Sequence, residues 1–463
     1  MADSSIQGIY DALKSFERTR EPRSIEWRRA QLKALKHMLS AEKDGALKAL
    51  KEDLGRCDTE SIMEYSTIVS DVSHILSHLP SLVAPQSVER AMLHWPCEAS
   101  IVTEPLGTVL IISPWNYPLS LALQPLVGAL AAGNCAVIKP SEVATACEKW
   151  LVEAVPRYLD KRAVAVVPGG VEVSTELLKL HWDHIFYTGN SVVARIVMRA
   201  AAEHLTPVTL ELGGKSPVVV ANDADMRSAA RKLLWGKHLN CGQTCVGPDY
   251  VLTTPDAFEP LSAAFKAEYA KIAPSGDLKE SKDYPRIINH RHTERLAGLV
   301  AELPETIVGS TSDIDVEAKY IPIIVAKVDK THPLMDGEIF GPILPIIVVD
   351  SIDESIDYIN SRDKPLALYA FTKSKKTWAK ILGSTSSGGA ACNDVIVHLS
   401  HTGLPFGGVG ESGMGNYHGD QSYHTFSHHR SVLKKGSIET DKMLRYPPYK
   451  HSKMLDLSLN LLN

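Results

Sequence analysis

Short runs of β-branched and other apolar residues alternate with helix-like segments through the middle of the chain. The predicted strands cover residues 109–112, 135–138, 164–167, 184–187, 208–212 and 218–220. The pattern predicts helices at residues 119–133, near Ser174, from Ser191 and over residues 224–239. Such alternation predicts parallel sheets with helices on both faces, and ligands gather at the carboxyl ends of the strands.

The first ~85 residues have a helical and amphipathic pattern, in which Asp53 and Ser61 are candidate helix caps. No internal repeat or low-complexity linker interrupts the chain. Domain boundaries therefore cannot be placed from composition alone.

Composition describes an ordinary globular protein. The chain has 463 residues, enough for about three domain-sized units, with 44% apolar and 22% charged residues. A net charge of -5 without a long basic run argues against nucleic acid as a partner. Seven scattered cysteines suit a reducing compartment. The N-terminus has no apolar secretory core, and the apolar pattern of residues 453–463 is shorter than a membrane span. These features predict a soluble cytoplasmic protein without a membrane span.

The most informative segment is residues 240–245 (NCGQTC), a polar, glycine-containing turn that ends on a cysteine and follows a helix-like stretch. A free thiol with a pKa near ~8.5 is mostly protonated at neutral pH. A catalytic cysteine therefore needs surroundings that favour the thiolate. An arbitrary cysteine is more often a small buried hydrophobic residue. Cys241 fits that description, although oxidation could pair it with Cys245.

The NCGQTC string resembles the nucleophile loop of the NAD(P)-dependent aldehyde dehydrogenases, particularly the class 3 branch, whose members act on fatty or aromatic aldehydes. The resemblance extends over residues ~100–435 and implies that Cys245 attacks the aldehyde carbon. It also implies an α/β fold with a Rossmann-type parallel-sheet cofactor domain, an α/β catalytic domain and a small β oligomerisation element. The expected protein is a homodimer that uses NAD, with NADP possible.

Two further strings resemble catalytic motifs of this family. Residues 114–118 (PWNYP) resemble the loop whose Asn116 side chain would form an oxyanion hole with the backbone N–H of Cys245. Residues 210–215 (LELGGK) contain Glu211, a candidate general base at a strand end, and burial there would raise its pKa.

A third string, residues 338–342 (EIFGP), resembles the motif in which Glu338 holds the nicotinamide ribose and Phe340 packs beside the nicotinamide. In the class 3 branch either Glu211 or Glu338 could activate the hydrolytic water. The sequence leaves that choice open.

The resemblance places the cofactor on three segments. Lys139 and Glu142 of residues 138–142 (IKPSE) would meet the adenosine ribose, and the carboxylate of Glu142 favours NAD over NADP. Gly189 and Asn190 would present a helix N-terminus to the pyrophosphate. The family often has Gly where this chain has Ala194, and Ser where it has Asn190. Leu212 completes the expected cofactor contacts.

The same resemblance implies a division into domains. Residues 1–86 and 107–210 form the NAD(P)-binding domain, and residues 211–397 form the catalytic domain. Residues 87–106 and 398–440 form the oligomerisation element, and residues 441–463 form a tail. Residues 393–398, 404–408 and 445–449 resemble substrate-side and C-terminal segments of class 3 members.

Other motifs carry less weight. Residues 408–413 (GVGESG) match the dinucleotide fingerprint G-x-G-x-x-G, but no strand precedes them and no helix follows. Residues 214–216 (GKS) lack the first glycine of a phosphate-binding P-loop. His74 and His78 are spaced for a metal on one helix face, yet the sequence offers no third ligand, so solvated or capping histidines are favoured. No metal site is predicted.

Two alternative functions remain open. A CoA-acylating aldehyde dehydrogenase would share the nucleophile but pass the thioester to a thiol, whereas Glu211 argues for water as the acceptor. A catalytically silent relative would bind ligand only, which the intact nucleophile and glutamate motifs argue against.

Overall fold

The computed structural model describes residues 5–89, 96–303, 305–437 and 446–447. Its strands in chain order are β1 (Gln86–Ser87), β2 (Cys97–Pro105), β3 (Thr108–Ile112), β4 (Cys135–Lys139), β5 (Val164–Val166), β6 (His184–Thr188), β7 (Val208–Glu211), β8 (Pro217–Val220), β9 (Tyr250–Thr253), β10 (Thr306–Val308), β11 (Ile324–Lys327), β12 (Ile343–Val348), β13 (Ala367–Phe371), β14 (Gly389–Cys392), β15 (Gly413–Met414) and β16 (Ser427–Lys435).

The α-helices of the described residues are α1 (Ile6–Arg18), α2 (Ile25–Ala41), α3 (Lys43–Leu54), α4 (Asp58–Val83), α5 (Ser120–Ala132), α6 (Thr145–Tyr158), α7 (Val171–Leu178), α8 (Ser191–Ala202), α9 (Met226–His238), α10 (Pro255–Ile272), α11 (His290–Val300), α12 (Ile352–Asn360), α13 (Lys375–Ser384) and α14 (Asp420–Thr425). The strands and helices predicted between residues 109 and 239 are all present, with ends within two residues wherever both ends were predicted.

Three sheets organise the molecule. The first has the order β15-β7-β6-β3-β4-β5, and all its pairs are parallel except β15 with β7. The second has the order β10-β11-β12-β9-β8-β13-β14, with only β10 antiparallel to its neighbour. The third is an antiparallel sheet of β1, β2 and β16. The predicted α/β class, with two mainly parallel sheets and a small β element, is confirmed.

The helices cover the sheets with apolar faces. Helix α5 is buried at every residue, which explains its uniformly apolar sequence. It packs against β3 and β4 on one side and against α2, α4 and α14 on the other. The amphipathic N-terminal helices thus cover a helix that is itself fully in the core. This packing places α4 close to the loop that follows β3.

Two helix caps proposed from the sequence are wrong. Ser61 lies inside α4, and Asp53 lies inside α3. The Asp53 carboxylate instead accepts hydrogen bonds from the backbone N–H groups of Ala146 and Cys147, at 3.0 and 2.9 Å. It therefore caps α6, which has no side-chain cap of its own. Capping residues are read from local sequence, so a cap supplied by another helix is invisible to that reasoning.

The fingerprint-like residues 408–413 have a structural role. Gly413 pairs with Glu211 at the end of β7. A Cβ atom at Gly413 would lie 2.2 Å from the Leu210 carbonyl oxygen. The glycines therefore let this turn approach the strand that carries Glu211, and the turn is not followed by a helix. Among the described residues, no helix combines the length and apolar character needed to cross a bilayer.

Candidate active site

One cavity of about 610 Å³ contains every residue that the sequence singled out for catalysis or cofactor binding. The cavity is lined by the loops at the carboxyl ends of β3, β4, β6 and β7 of the first sheet. Its lining also includes residues between 245 and 340, in the part of the chain that forms the second sheet. The predicted residues in the lining are Asn116, Lys139, Glu142, Gly189, Asn190, Glu211, Leu212, Cys245, Glu338 and Phe340. The fold thus brings together residues from six separate stretches of chain.

The loop that carries Cys245 has a strained backbone. It leaves α9 through a short 3-10 helix, Leu239–Gly242, in which Asn240 and Cys241 both have φ of 52°. Such left-handed conformations cost roughly 1–3 kcal/mol each for non-glycine residues and persist only where surrounding contacts enforce them. Gly242 also has positive φ, and a Cβ atom there would lie 2.3 Å from the Gly341 carbonyl oxygen. The glycine therefore lets the nucleophile loop touch the Glu338 loop.

The surroundings of Cys245 change the pKa of its thiol in both directions. Burial, followed by the charges of Glu338 and Glu211, raises its pKa to about 12, while the backbone N–H groups of Val246 and Cys245 lower it. Burial is the largest of these effects. The expectation that the surroundings favour a thiolate is therefore wrong for the protein without ligands. The cysteine is held as a neutral thiol until a change in charge or solvation assists its ionisation.

Asn116 is buried beside this loop. Its side-chain amide donates to the Gln243 carbonyl oxygen at 3.2 Å. A primary amide has two N–H groups, so one bond fixes its orientation and the other N–H stays available. The aromatic neighbour Tyr117 bonds the Thr244 hydroxyl at 2.8 Å. These contacts fasten the loop after β3 to the nucleophile loop.

Glu211 is buried and unpaired. Its exposed fraction is 2%, and neither carboxyl oxygen has a hydrogen-bond partner. Burial raises the pKa of Glu211 well above its usual value, in the direction predicted from its position at a strand end. Burial of this kind favours the protonated form of the carboxyl group.

Glu338 is a second carboxyl group in the same cavity, and it is partly buried. Burial and then the charge of Asp249 raise its pKa to about 8, against the lowering effect of the Gly214 N–H and the charges of Lys215 and Lys237. A Cβ atom at Gly213 would lie 2.3 Å from a carboxyl oxygen of Glu338. The missing side chain at Gly213 therefore leaves room for the Glu338 carboxyl.

The other end of the cavity is more exposed. The Lys139 ammonium donates to the Glu142 carboxylate at 3.0 Å and to the Gly169 carbonyl oxygen at 2.6 Å. Asn190 caps α8 by accepting from the Val193 N–H at 2.9 Å. A Cβ atom at Gly189 would lie 2.2 Å from the Tyr187 hydroxyl, so the turn before α8 requires glycine. Ala194, the predicted departure from the family, is buried on the inner face of α8.

These residues fit a dinucleotide. A carboxylate beside a lysine can bind ribose hydroxyls, and the N-terminus of the 12-residue helix α8 offers backbone N–H groups to a pyrophosphate. Leu212 is buried next to Gly213, and its N–H donates to the Ser412 carbonyl oxygen at 3.1 Å. Phe340 has φ of 51° and meets the Trp115 ring edge to face at 5.5 Å. Both rings line the cavity.

Comparison with known proteins decides the family. The model of the aldehyde dehydrogenase family matches residues 4–432. This chain is an aldehyde dehydrogenase. Mouse aldehyde dehydrogenase family 3 member A2 is 45% identical over 96% of this chain and 91% of the relative. The rat dimeric NADP-preferring aldehyde dehydrogenase is 44% identical over 96% and 98% of the two chains.

Solved structures agree with these sequence matches. The substrate-bound Staphylococcus aureus AldH is 35% identical and superimposes with a TM-score of 0.94 over 99% of this chain and 100% of that one. The resemblance to the class 3 branch is therefore confirmed. The chain is an NAD(P)-dependent oxidoreductase that oxidises an aldehyde to a carboxylic acid.

The sequence reasoning missed the support that α4 and the residues before it give this aldehyde dehydrogenase. Arg56 forms a buried ion pair with Glu64, donates to the Asn116 carbonyl oxygen and donates to the Asn240 side chain at 2.9 Å. The other oxygen of the Glu64 carboxylate accepts from the backbone N–H groups of Leu119 and Ser120, both at 2.9 Å.

Glu60 supports the nucleophile loop in the same way, because its carboxylate accepts from the Asn240 N–H at 3.0 Å. Charged side chains of one N-terminal segment thus hold both catalytic loops. The available signal was the placement of Glu60 and Glu64 four residues apart among apolar positions of a predicted helix.

The remaining motifs lie elsewhere. Residues 393–398 and 404–408 do not line the described cavity. Lys215, the lysine of the P-loop-like string, binds Asp249 and the carbonyl oxygens of Leu334 and Gly337. Cys241 donates to the Pro285 carbonyl oxygen at 3.2 Å, as a buried structural cysteine would. Residues 441–463 lie outside the described residues apart from Tyr446 and Pro447, and so does most of the string at 445–449.

Proposed function

We propose that Cys245 is the nucleophile and that Asn116 stabilises the oxyanion. The thiol gives up its proton to solvent and its sulfur adds to the aldehyde carbon, while the free Asn116 N–H and the Cys245 backbone N–H receive the developing alkoxide. Such donors are typically worth about 3–4 kcal/mol each in the transition state. When bound, NAD⁺ supplies the acceptor for the hydride. The observation that carries this proposal is the presence of the thiol, the amide and the carboxyl groups of Glu211 and Glu338 in one cavity.

We propose that either Glu211 or Glu338 supplies the base that activates water for hydrolysis of the thioester. Glu211 has no hydrogen-bond partner, so its carboxyl is free to move toward the acyl group. The Glu338 pKa of about 8 is closer to the working range of a general base. The lack of a hydrogen-bond partner favours Glu211 as the base, whereas the pKa favours Glu338. Glu338 is also proposed to hold the nicotinamide ribose, with Phe340 beside the nicotinamide.

We propose that NAD binds along Lys139, Glu142, Gly189, Asn190 and Leu212, and that NADP is also accepted. A free carboxylate at Glu142 accepts hydrogen bonds from ribose hydroxyls and repels a 2′-phosphate. The Lys139 contact offsets part of that repulsion. This balance supports a moderate preference for NAD, although one similar rat protein is named as NADP-preferring.

Water, and not coenzyme A, is the proposed acceptor of the acyl group. Two carboxyl groups beside the thiol suit the activation of water, whereas transfer to a thiol needs no general base of this strength. The test is NADH formation by the purified enzyme with and without coenzyme A. Release of free acid at an unchanged rate supports hydrolysis. A rate that depends on coenzyme A would show an acylating enzyme, and no NADH under either condition would show a silent relative.

The proposed division into domains follows the three sheets, except that β15 of the first sheet lies within residues 398–440. Residues 1–86 and 107–210 are assigned to cofactor binding, and residues 211–397 to catalysis. Residues 87–106 and 398–440 are assigned to oligomerisation, and residues 441–463 to a tail. The boundary at residue 211 is supported by the sheet topology. Strand β7 is the last parallel strand of the first sheet along the chain, and the next strand, β8, belongs to the second sheet.

We also propose a cytoplasmic homodimer. All seven cysteines are free, which suits a reducing compartment. Strand β16 lies at the edge of its sheet, so within the described residues its outer edge is open for a partner strand. Light scattering during gel filtration tests the dimer. Cell fractionation tests the location.

A further inference from the structure

A cluster of three potential metal ligands lies on the surface formed by α4 and α14, outside the catalytic cavity. His74 and His78 are one turn apart on α4, and Asp420 is the first residue of α14. Among the residues that the structure describes, this is the place where three histidine, cysteine or carboxylate donors converge within 4.8 Å. A third ligand for the two histidines could not be recognised in the sequence because Asp420 is more than 340 residues away.

The three ligand atoms form a nearly equilateral triangle. His74 Nε2 and His78 Nδ1 each lie 2.9 Å from Asp420 Oδ1, and they lie 2.9 Å from each other. Metal–ligand bonds of ~2.0–2.2 Å in a tetrahedral zinc site separate the ligand atoms by about 3.3–3.5 Å. Small side-chain rotations would therefore open the triangle to the size that a zinc ion requires.

Hydrogen bonding alone cannot satisfy all three contacts. An ionised carboxylate only accepts, so both ring nitrogens must carry a proton to bond Asp420. Two N–H groups would then face each other across the contact between His74 and His78. If one nitrogen is unprotonated, its lone pair faces the carboxylate oxygen instead. A cation bound to all three atoms removes this conflict, because each atom then offers a lone pair.

The surrounding backbone holds the cluster in place. The Asp71 carboxylate accepts from the Gly419 N–H at 3.0 Å, which fixes the residue before Asp420. Gly419 has φ of 52°, and a Cβ atom there would lie 3.4 Å from His74 Nε2 and 1.9 Å from the Thr402 carbonyl oxygen. Glycine is thus required for the chain to bring Asp420 onto the two rings. Such support of the ligands is typical of metal sites.

Exposure leaves room for further ligands. The side chains of His78 and Asp420 are 43% and 49% exposed, and that of His74 is 19% exposed. Water can therefore complete the coordination sphere. Two imidazoles and one carboxylate suit divalent transition metals, zinc among them.

We propose that His74, His78 and Asp420 bind one divalent transition-metal ion, with Zn²⁺ as the reference ion, and that the ion links the N-terminal helix α4 to the C-terminal helix α14. Binding uses the Nε2 lone pair of His74 and the Nδ1 lone pair of His78, so each ring keeps its proton on its other nitrogen. The site is separate from the proposed chemistry and is expected to affect stability, not turnover.

The test is a titration of ZnCl₂ into tag-free, chelator-treated protein that carries Cys245→Ala, so that the catalytic thiol does not contribute a competing site. One equivalent is expected to bind. His78→Gln and Asp420→Asn are each expected to weaken this binding at least roughly tenfold. His424→Gln is the matched control, because His424 lies nearby on α14 but pairs with His429. It is expected to leave the affinity unchanged.

Two readouts strengthen the test. In the same protein, zinc at a hundredfold excess over Kd should raise the melting temperature by about 3 °C, and both site variants should lose this shift. Bound Co²⁺ should give visible absorption bands that the site variants lack. With Cys245 present, NADH formation by His78→Gln should equal that of the parent. The proposal is overturned if the parent binds no zinc, or if the variants and the control bind it with equal affinity.

Discussion

The two ends of the active-site cavity contain the same type of side chain in opposite states. Glu211 is buried without a partner, whereas the Glu142 side chain is 43% exposed and paired with Lys139. Burial raises the pKa of the first well above its usual value, which favours the protonated acid. The second presents its carboxylate to the Lys139 ammonium. The comparison shows that the surroundings of a glutamate, and not its identity, decide which of the two proposed roles, general base or cofactor binding, it suits.

The largest expected effect comes from the nucleophile. Cys245→Ala should reduce NADH formation by roughly 10⁴-fold or more, because no covalent step remains. Initial rates with saturating aldehyde and NAD⁺ measure it. Cys241→Ser is the matched control, since it can keep the hydrogen bond to the Pro285 carbonyl oxygen. Activity of Cys245→Ala comparable to that of the control would exclude Cys245 as the nucleophile.

The next largest expected effect, a loss of steady-state turnover, distinguishes the carboxyl groups of Glu211 and Glu338. Glu211→Gln or Glu338→Gln, whichever removes the base, should lower steady-state turnover by roughly 10²–10⁴-fold and leave hydride transfer intact. Rapid-mixing experiments should then show a stoichiometric burst of NADH, and intact-protein mass spectrometry should show an acyl adduct on Cys245. The variant that retains the carboxyl base serves as the control. Absence of a burst and of an adduct in both variants would mean that another group activates water.

The pH dependence of kcat offers a second way to decide between Glu211 and Glu338 as the base. The pKa of Glu338 is raised to about 8, so its ionised form is lost as pH falls below that value. If Glu338 is the base, kcat should fall about tenfold per pH unit below ~8 and level off above it. Glu338→Gln should remove this inflection while Glu211→Gln retains it. An inflection that survives in Glu338→Gln would assign it to a different group.

The smallest expected effect is a change in cofactor preference, and it concerns Glu142 at the exposed end of the cavity. Glu142→Gln should narrow the preference for NAD over NADP by about fivefold, because an exposed charge contributes up to ~1 kcal/mol. The ratio of kcat/KM values for the two cofactors measures it. Glu176→Gln, on the neighbouring helix α7, is the control. An unchanged ratio in Glu142→Gln would remove this residue from the cofactor site.

The sequence predicted which residues form this site better than it predicted their pKa values and their contacts. The strings around Cys245, Asn116 and Glu338 are local, so each could be recognised within about six residues. The raised pKa of Cys245 could not be predicted in this way, since it depends on burial and on two carboxyl groups from distant segments. The Asp420 that meets His74 and His78 was invisible for the same reason, because only the fold makes them neighbours.

The contact between Arg56 and Asn240 joins two parts of the chain that are synthesised at different times. The two residues are 184 positions apart, and a ribosome adds roughly 5–20 residues per second. Arg56 is therefore made about 10–40 s before the nucleophile loop. The positive φ angles of Asn240 and Cys241 persist only where surrounding contacts enforce them. The geometry of the nucleophile loop thus depends on its docking onto a segment that was made well before it.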